Sequence, residues 1–185
     1  MGAAAWLTSP SGGGLGPRVS ARLRAGSGRP VALDRIAPIL RQAVVATEDE
    51  RFYRHHGVDL IGVLRALPYD LAHFSLAQGA STITEQVAKI LYLRGNDHTL
   101  WRKLEDAAVA LKLEGRYGKE QLLAAYLNSV YFGNGAYGVR AASRGCFAVE
   151  PNRLTLPQAS LLAGLIQAPS ADNPLLTLAR HENGR

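Results

Sequence analysis

The sequence predicts a mostly α-helical single domain over residues 31–185, preceded by a flexible arm over residues 1–30. Three observations predict it. From Leu33 onward, apolar residues return at three- and four-residue intervals in one segment after another, each bounded by a capping residue, a proline or a glycine. No alternating apolar and polar run exceeds a few residues, so no sheet is expected. Residues 2–30 are rich in Gly, Ser, Pro, Ala and Arg, with Gly12, Gly13 and Gly14 consecutive, and read as a segment without apolar periodicity.

The elements follow in order. Pro38 suits a first helical turn and Gly57 a C-terminal stop; within that span Leu40, Val44, Glu48 and Phe52 recur every fourth residue. Asp59 can cap a short helix through Leu67, which Pro68 ends. Tyr69 to Gln78 carries no clear signal. Thr82 and Glu85 have capping-box spacing ahead of Ile83, Val87, Ile90 and Leu91. A helix over Leu100–Glu114 is expected to turn Leu104, Ala107, Ala108 and Leu111 inward and to stop at Gly115. The next, Lys119–Asn128, buries Leu122, Leu123, Tyr126 and Leu127. After the glycines of 133–138 come a small-residue helix, Val139–Phe147, and a last one, Pro157–Gln167.

A chain of 185 residues can build one substantial core but not two comfortable ones. Of its 21 basic residues, four (Arg18, Arg22, Arg24 and Arg29) precede the first acidic residue, Asp34, leaving 17 basic against 15 acidic in the domain. A domain carrying only +2 argues against nucleic acid as a partner, and a basic arm suits an anionic membrane surface. Ala3–Leu7 is too short for a signal-peptide core, and no stretch approaches the ~20 apolar residues of a spanning helix. Cys146 is the sole cysteine; it rules out an internal disulfide and sits among small and apolar residues, where a buried structural thiol is expected.

Glu48 is the residue that stands out. On a helix running to Gly57 it falls on the apolar side, a half-desolvated setting of the kind that tunes a carboxylate for acid or base work. A boundary Glu pairing with Arg51 or His55 is the plain alternative. Lys89, Arg102 and Lys103 read either as ligand cations or as helix-face partners of Glu85 and Asp106 at i to i+4 spacing, worth only about 0.2–0.5 kcal/mol each. Ser81 and Thr82, entering a helix after Gly79, can meet an anion or simply cap. His55 and His56 point about 100° apart on a helix, which disfavours joint metal ligation.

Glu48-Asp49-x-x-Phe52-x-x-His55-x-Gly57 resembles the first motif of the peptidoglycan glycosyltransferases, the domain of monofunctional transglycosylases and class A penicillin-binding proteins. Gly79-Ala80-Ser81-Thr82-Ile83-Thr84-x-Gln86-x-x-Lys89 is similar to their second, and Arg102-Lys103-x-x-Asp106 to their third. Tyr126-Leu127-Asn128 with Tyr131-Phe132-Gly133-x-Gly135-x-x-Gly138 resembles the fourth, and Leu154 to Pro174 the fifth. Five motifs in order cover roughly Ile36 to Pro174.

The resemblance implies a lysozyme-like helical fold that polymerises lipid II on the outer, periplasmic face of the bacterial cytoplasmic membrane. It implies inverting transfer from the growing glycan strand with release of undecaprenyl pyrophosphate. Glu48 then matches the general base and Asp106 a second catalytic carboxylate, while Asp49, His55, Ser81, Thr82, Gln86, Lys89, Arg94, Arg102, Lys103 and Asn128 are candidates for holding substrate. No cofactor is obligatory, although Mg²⁺ or Mn²⁺ can accompany the pyrophosphate, and no metal ligands are assigned. The implied partners are lipid II, the glycan strand, the membrane surface and other cell-wall synthesis proteins. Apolar residues such as Leu71 and Phe74 within Pro68–Leu76 would rest on the membrane.

Departures from the pattern keep two alternatives in view. Glu85 stands where the family usually has a glutamine, Glu105 and Asp106 where it has Lys then Glu, and His98 where it often has an arginine, for which Arg94 can compensate. Those changes support a non-catalytic domain that still binds lipid II or a cell-wall partner. A lysozyme-like enzyme cleaving peptidoglycan would also use one dominant Glu, but it has no need of cations for a pyrophosphate. A phosphoglycolipid inhibitor of the moenomycin type is expected to bind a transferase and not such a hydrolase.

Overall fold

The computed structural model describes residues 2–24, 28–62, 64, 81–93 and 99–167. Among them the regular structure is helical, and pairing between extended segments is limited to the isolated bridges His56–Val58 and Tyr131–Tyr137. Eight α-helices are complete within these residues: α1 (Gly2–Thr8), α2 (Leu15–Arg24), α3 (Pro38–Glu48), α4 (Ile83–Leu91), α5 (Leu100–Glu114), α6 (Lys119–Ser129), α7 (Val139–Phe147) and α8 (Leu156–Gln167). Residues 60–62 are helical as well, after Asp59. The expected fold class and nearly every expected helix boundary hold.

Residues 2–24 differ from expectation. They do not form a loose arm: α1 packs on α5, and α2 packs on α6 and α4. Leu15, Val19 and Leu23 of α2 follow one another at four-residue spacing and are buried in the core. The glycines of 11–14 and Pro17 hide that stripe in the sequence, yet Pro17 lies in the first turn, where a missing N–H breaks no helical bond. The arginines are used internally too. Arg18 donates to the Leu91 carbonyl at 2.9 Å and lies over the Tyr92 ring, and Arg22 lies over the Tyr137 ring. Lys112 donates to the carbonyls of Trp6 (2.5 Å) and Ser9 (3.0 Å), satisfying the C-terminal end of α1. Leu23→Ala is therefore expected to cost about 2–4 kcal/mol in urea unfolding. No change in the unfolding midpoint would mean that α2 is undocked in solution.

Two helices set the frame of the site. α3 and α8 pack side by side and run parallel: the Ala37 N–H donates to the Pro151 carbonyl beside the start of α8, and Gln167 at its end donates to the Thr47 carbonyl. The opposite wall is α4, held between α5 and α6. The core between them is formed by Leu40, Val44, Phe52, Ile83, Val87, Leu122, Leu123, Tyr126 and Leu127, each fully buried. On α5 Asp106, Ala108, Val109, Ala110 and Leu113 are buried; Ala108 lies inward as expected, whereas Leu111 is 44% exposed and does not. The reason is the Gly57 segment, which packs against the α5 backbone. A Cβ on Gly57, at φ +87°, would stand 3.0 Å from the Ala110 carbonyl carbon, so glycine is required for that approach.

The helix carrying Glu48 also ends earlier than expected. It stops at Glu48 itself, turns at Asp49 and continues as a single 3-10 turn, Phe52–Arg54, before Gly57. Glu48 thus projects from a helix end. Arg94, His98, Gly79, Ala80 and the segment Pro68–Leu76 lie outside the described residues, as do Pro169 and Pro174.

Candidate active site

At the C-terminal end of α3, Glu48 Oε2 accepts a hydrogen bond from Gln86 Nε2 of α4 at 2.8 Å. The Tyr126 hydroxyl of α6 lies 2.9 Å from Gln86 Oε1 and 3.3 Å from Glu48 Oε2, so its one proton is shared out between two acceptors. Three helices thereby fix the orientation of one carboxylate. Burial, followed by the neighbouring Glu48 charge, pushes the Tyr126 phenol far above its ordinary pKa, and it remains a neutral donor. The other oxygen, Glu48 Oε1, is buried and accepts no hydrogen bond among the described residues.

Asp49 and His55 lie beneath this site and are not presented to a ligand. His55 Nε2 is 3.0 Å from both Asp49 oxygens, and Asp49 Oδ2 also accepts the Ile83 N–H, the first amide of α4, at 3.0 Å. A carboxylate at that position satisfies an orphan donor and matches the positive end of the helix. Thr82 is equally occupied: its hydroxyl donates to the Gly57 carbonyl at 2.6 Å and accepts from the Glu85 N–H, and the Glu85 carboxylate accepts the Thr82 N–H at 2.8 Å. The expected capping box is complete. These bonds lock the start of α4 to the end of α3, which is what sets Gln86 against Glu48.

Asn128, expected to hold substrate, is buried away from the site. Its amide accepts the Val31 N–H at 2.7 Å and donates to the carbonyls of Val31 (2.8 Å) and Ala124 (2.7 Å). Its donors and acceptor are spent tying the entering chain to α6. Tyr126 is the reverse case, read from sequence as core alone. A buried phenol needs a partner for its hydroxyl, and that requirement was the signal available.

The cations gather on the face shared by α4 and α5. Lys89 lies one turn beyond Gln86 and is exposed, without an ion pair among the described residues. Lys103 Nζ donates to Ser81 Oγ at 2.5 Å. Arg102 Nε lies 3.6 Å from Asp106 Oδ1, and its Nη1 is 3.9 Å from Glu105. Of the two ion pairs weighed from spacing, the Arg102–Asp106 contact forms, and Glu85 turns to the capping box in place of Lys89.

Burial raises the pKa of Asp106, against the lowering charges of Arg102, Lys103 and Lys89, and Glu105 adds to the rise. Glu85 is raised as well, by burial first and by Asp106 in part. A carboxyl whose folded-state pKa is raised binds more protons folded than unfolded, so its stabilising contribution is present at acid pH and is lost as pH rises. Asp106→Asn is accordingly expected to raise Tm at pH 7.5 and to leave it unchanged below about pH 4, where the unfolded carboxyl is itself protonated. A fall in Tm at pH 7.5 would show that the charged form is stabilising.

A half-buried carboxylate is held at the meeting point of three helices, with Lys89 one turn along α4 and Arg102 and Lys103 on α5. The transglycosylase family model matches residues 17–185, and the chain belongs to that family. It is 44% identical over 151 residues to penicillin-binding protein 1A of Escherichia coli (strain K12), covering 82% of this chain and 18% of that protein. To penicillin-binding protein 1F of Bacillus subtilis (strain 168) it is 42% identical over 147 residues, 80% of this chain and 20% of the relative. Penicillin-binding protein 1A of Neisseria lactamica is 45% identical over 142 residues, 77% and 18% respectively. The chain thus spans about a fifth of the length of these relatives.

Proposed function

We propose that this chain is a peptidoglycan glycosyltransferase that polymerises lipid II. The single observation that carries the reading is the Glu48–Gln86–Tyr126 triangle, set one helical turn from Lys89 on α4. Glu48 takes the proton from the acceptor sugar hydroxyl as that oxygen attacks the anomeric carbon of the donor, with inversion. The leaving group is a pyrophosphate that departs as an anion, so cations matter more than an acid. Lys89 and Lys103 supply point charges, and Arg102 can span two phosphate oxygens. Ser81, held by Lys103, lines the same wall.

Asp106, with Glu105 beside it, keeps Arg102 in place. An Mg²⁺ or Mn²⁺ ion would rest on substrate phosphates with no more than one of these two carboxylates, since neighbours on a helix point about 100° apart. Such an ion would neutralise pyrophosphate charge; among the described residues no group of three or more His, Cys, Asp or Glu could hold a metal. The Glu85 carboxylate is buried and turned into the capping box, so it is not presented to a ligand on this face. That weakens the reading of a degenerate binding domain.

The outer membrane face is the corresponding location, where lipid II and the growing strand are anchored. No helix among the described residues is long and apolar enough to cross a membrane. Leu60, Ile61 and Leu64 are exposed beyond the first motif, and such a patch supports reversible interfacial contact. A moenomycin-type phosphoglycolipid tests the reading: it is expected to stabilise the folded chain and to displace labelled lipid II. A chain that ignores the inhibitor and releases fragments from preformed peptidoglycan would be a hydrolase.

A further inference from the structure

At the far end of α3 from Glu48 the molecule holds a second concavity. Its walls are the extended chain at Pro30, Val31 and Ala32, the side chains of Arg35 and Arg140, and the turn at Glu150, Pro151 and Asn152, enclosing about 360 Å³. An eleven-residue helix separates it from Glu48, a distance of about 16 Å along the axis. This volume falls within the range of pockets that take small organic ligands. It is not part of the catalytic cleft.

The walls are held and the arginines are not consumed in holding them. Val31 has both backbone groups bonded to the Asn128 amide, and Pro151 accepts the Ala37 N–H at 3.0 Å. The one acidic residue in the lining, Glu150, is engaged by Arg144, whose Nε donates to it at 2.6 Å. Arg140 contributes a half-buried guanidinium with no hydrogen-bond partner among the described residues; its Nε is closed off from solvent, so its Nη groups are what it offers to the cavity. Arg35 adds a second, exposed cation to the same cavity.

We infer that this cavity is a carboxylate-binding site, with Arg140 as the anchor and Arg35 at the rim. A carboxylate presents two oxygens to the two Nη groups of a guanidinium at once, a paired geometry that arginine favours. With Glu150 neutralised by Arg144, a single negative charge matches the site more closely than a phosphate dianion. The ligand is either a small free acid or the carboxylate terminus of a peptide segment; both present the same group.

The test is titration of the full chain, followed through the backbone N–H signals of Ala32 and Asn152 in proton–nitrogen spectra at constant ionic strength. The probes are acetate, N-acetyl-alanyl-alanine with a free carboxylate, the same dipeptide as its amide, and inorganic phosphate. A saturable shift with either acid, and none with the amide, is expected. Dipeptide binding tighter than acetate identifies a peptide terminus; equal binding identifies a free acid. Arg35→Ala, a change at an exposed position, should weaken binding about tenfold, and Arg140→Lys at least as much. Equal response to acid and amide, no effect of Arg35→Ala, phosphate saturating where the acids do not, or no saturable shift at all would each overturn the assignment.

Discussion

Glu48→Gln is expected to lower the rate of glycan formation by about 10²–10⁴, the usual contribution of a positioned general base, while lipid II binds as before. The substitution is close to isosteric. The amide can still receive the Gln86 donor at the position of Oε2, so the bond between α3 and α4 survives and Tm should change little. What is lost is the capacity to take a proton. Single-turnover assays with radiolabelled lipid II check this directly, because they separate the chemical step from binding and product release. A variant that polymerises at the wild-type rate would place the base elsewhere. A variant that loses lipid II binding as well would make Glu48 a substrate contact.

Lys89→Ala is expected to lower turnover by about 10²–10³, the scale on which a preorganised charge at a developing anion acts. Lipid II already carries its pyrophosphate in the ground state, so part of the effect will appear in KM. The leaving group gains charge as the glycosidic bond breaks, and for that reason kcat should fall more than KM rises. Lys89 is exposed and forms no ion pair among the described residues, so its removal should alter stability by no more than about 0.5 kcal/mol. A purely structural helix-face lysine would leave both kinetic constants unchanged. Lys89→Arg restores the charge in another shape and is expected to recover part of the loss.

The helical fold was legible because α4 to α8 carry both kinds of signal at once, an apolar stripe and a stop or cap at each end. Thr82 with Glu85 at α4 and Gly115 after α5 are such cases. α2 was missed because its stripe spans only Leu15, Val19 and Leu23 and is interleaved with arginines and preceded by glycines. Local pattern cannot show that a neighbouring helix offers Tyr92 and Leu91 as partners for Arg18. The rotation of α5 has the same origin, since the close approach of Gly57 to Ala110 is a tertiary event.

The site was legible to a lesser degree. Glu48 meets Gln86 across α3 and α4, Arg102 meets Asp106 on α5, and Lys103 reaches Ser81. Asp49, His55, Thr82 and Asn128 belong to the same motifs but serve to join elements, a distinction that motif spacing does not encode. Asp49, Thr82 and Asn128 each reach a backbone group of a distant segment, and His55 rests against Asp49; only the folded arrangement reveals these partners. Tyr126 shows the opposite error. Its position in an apolar stripe marked it as core, and the ring is core, but its hydroxyl belongs to the site.

The most direct test of the central claim is the stoichiometry of the products that the wild-type chain makes from labelled lipid II in detergent with Mg²⁺. Glycan strands accompanied by one undecaprenyl pyrophosphate for each disaccharide added are the predicted result. Folded protein that binds lipid II yet leaves it intact, or that forms no polymer while cutting existing strands, would contradict it.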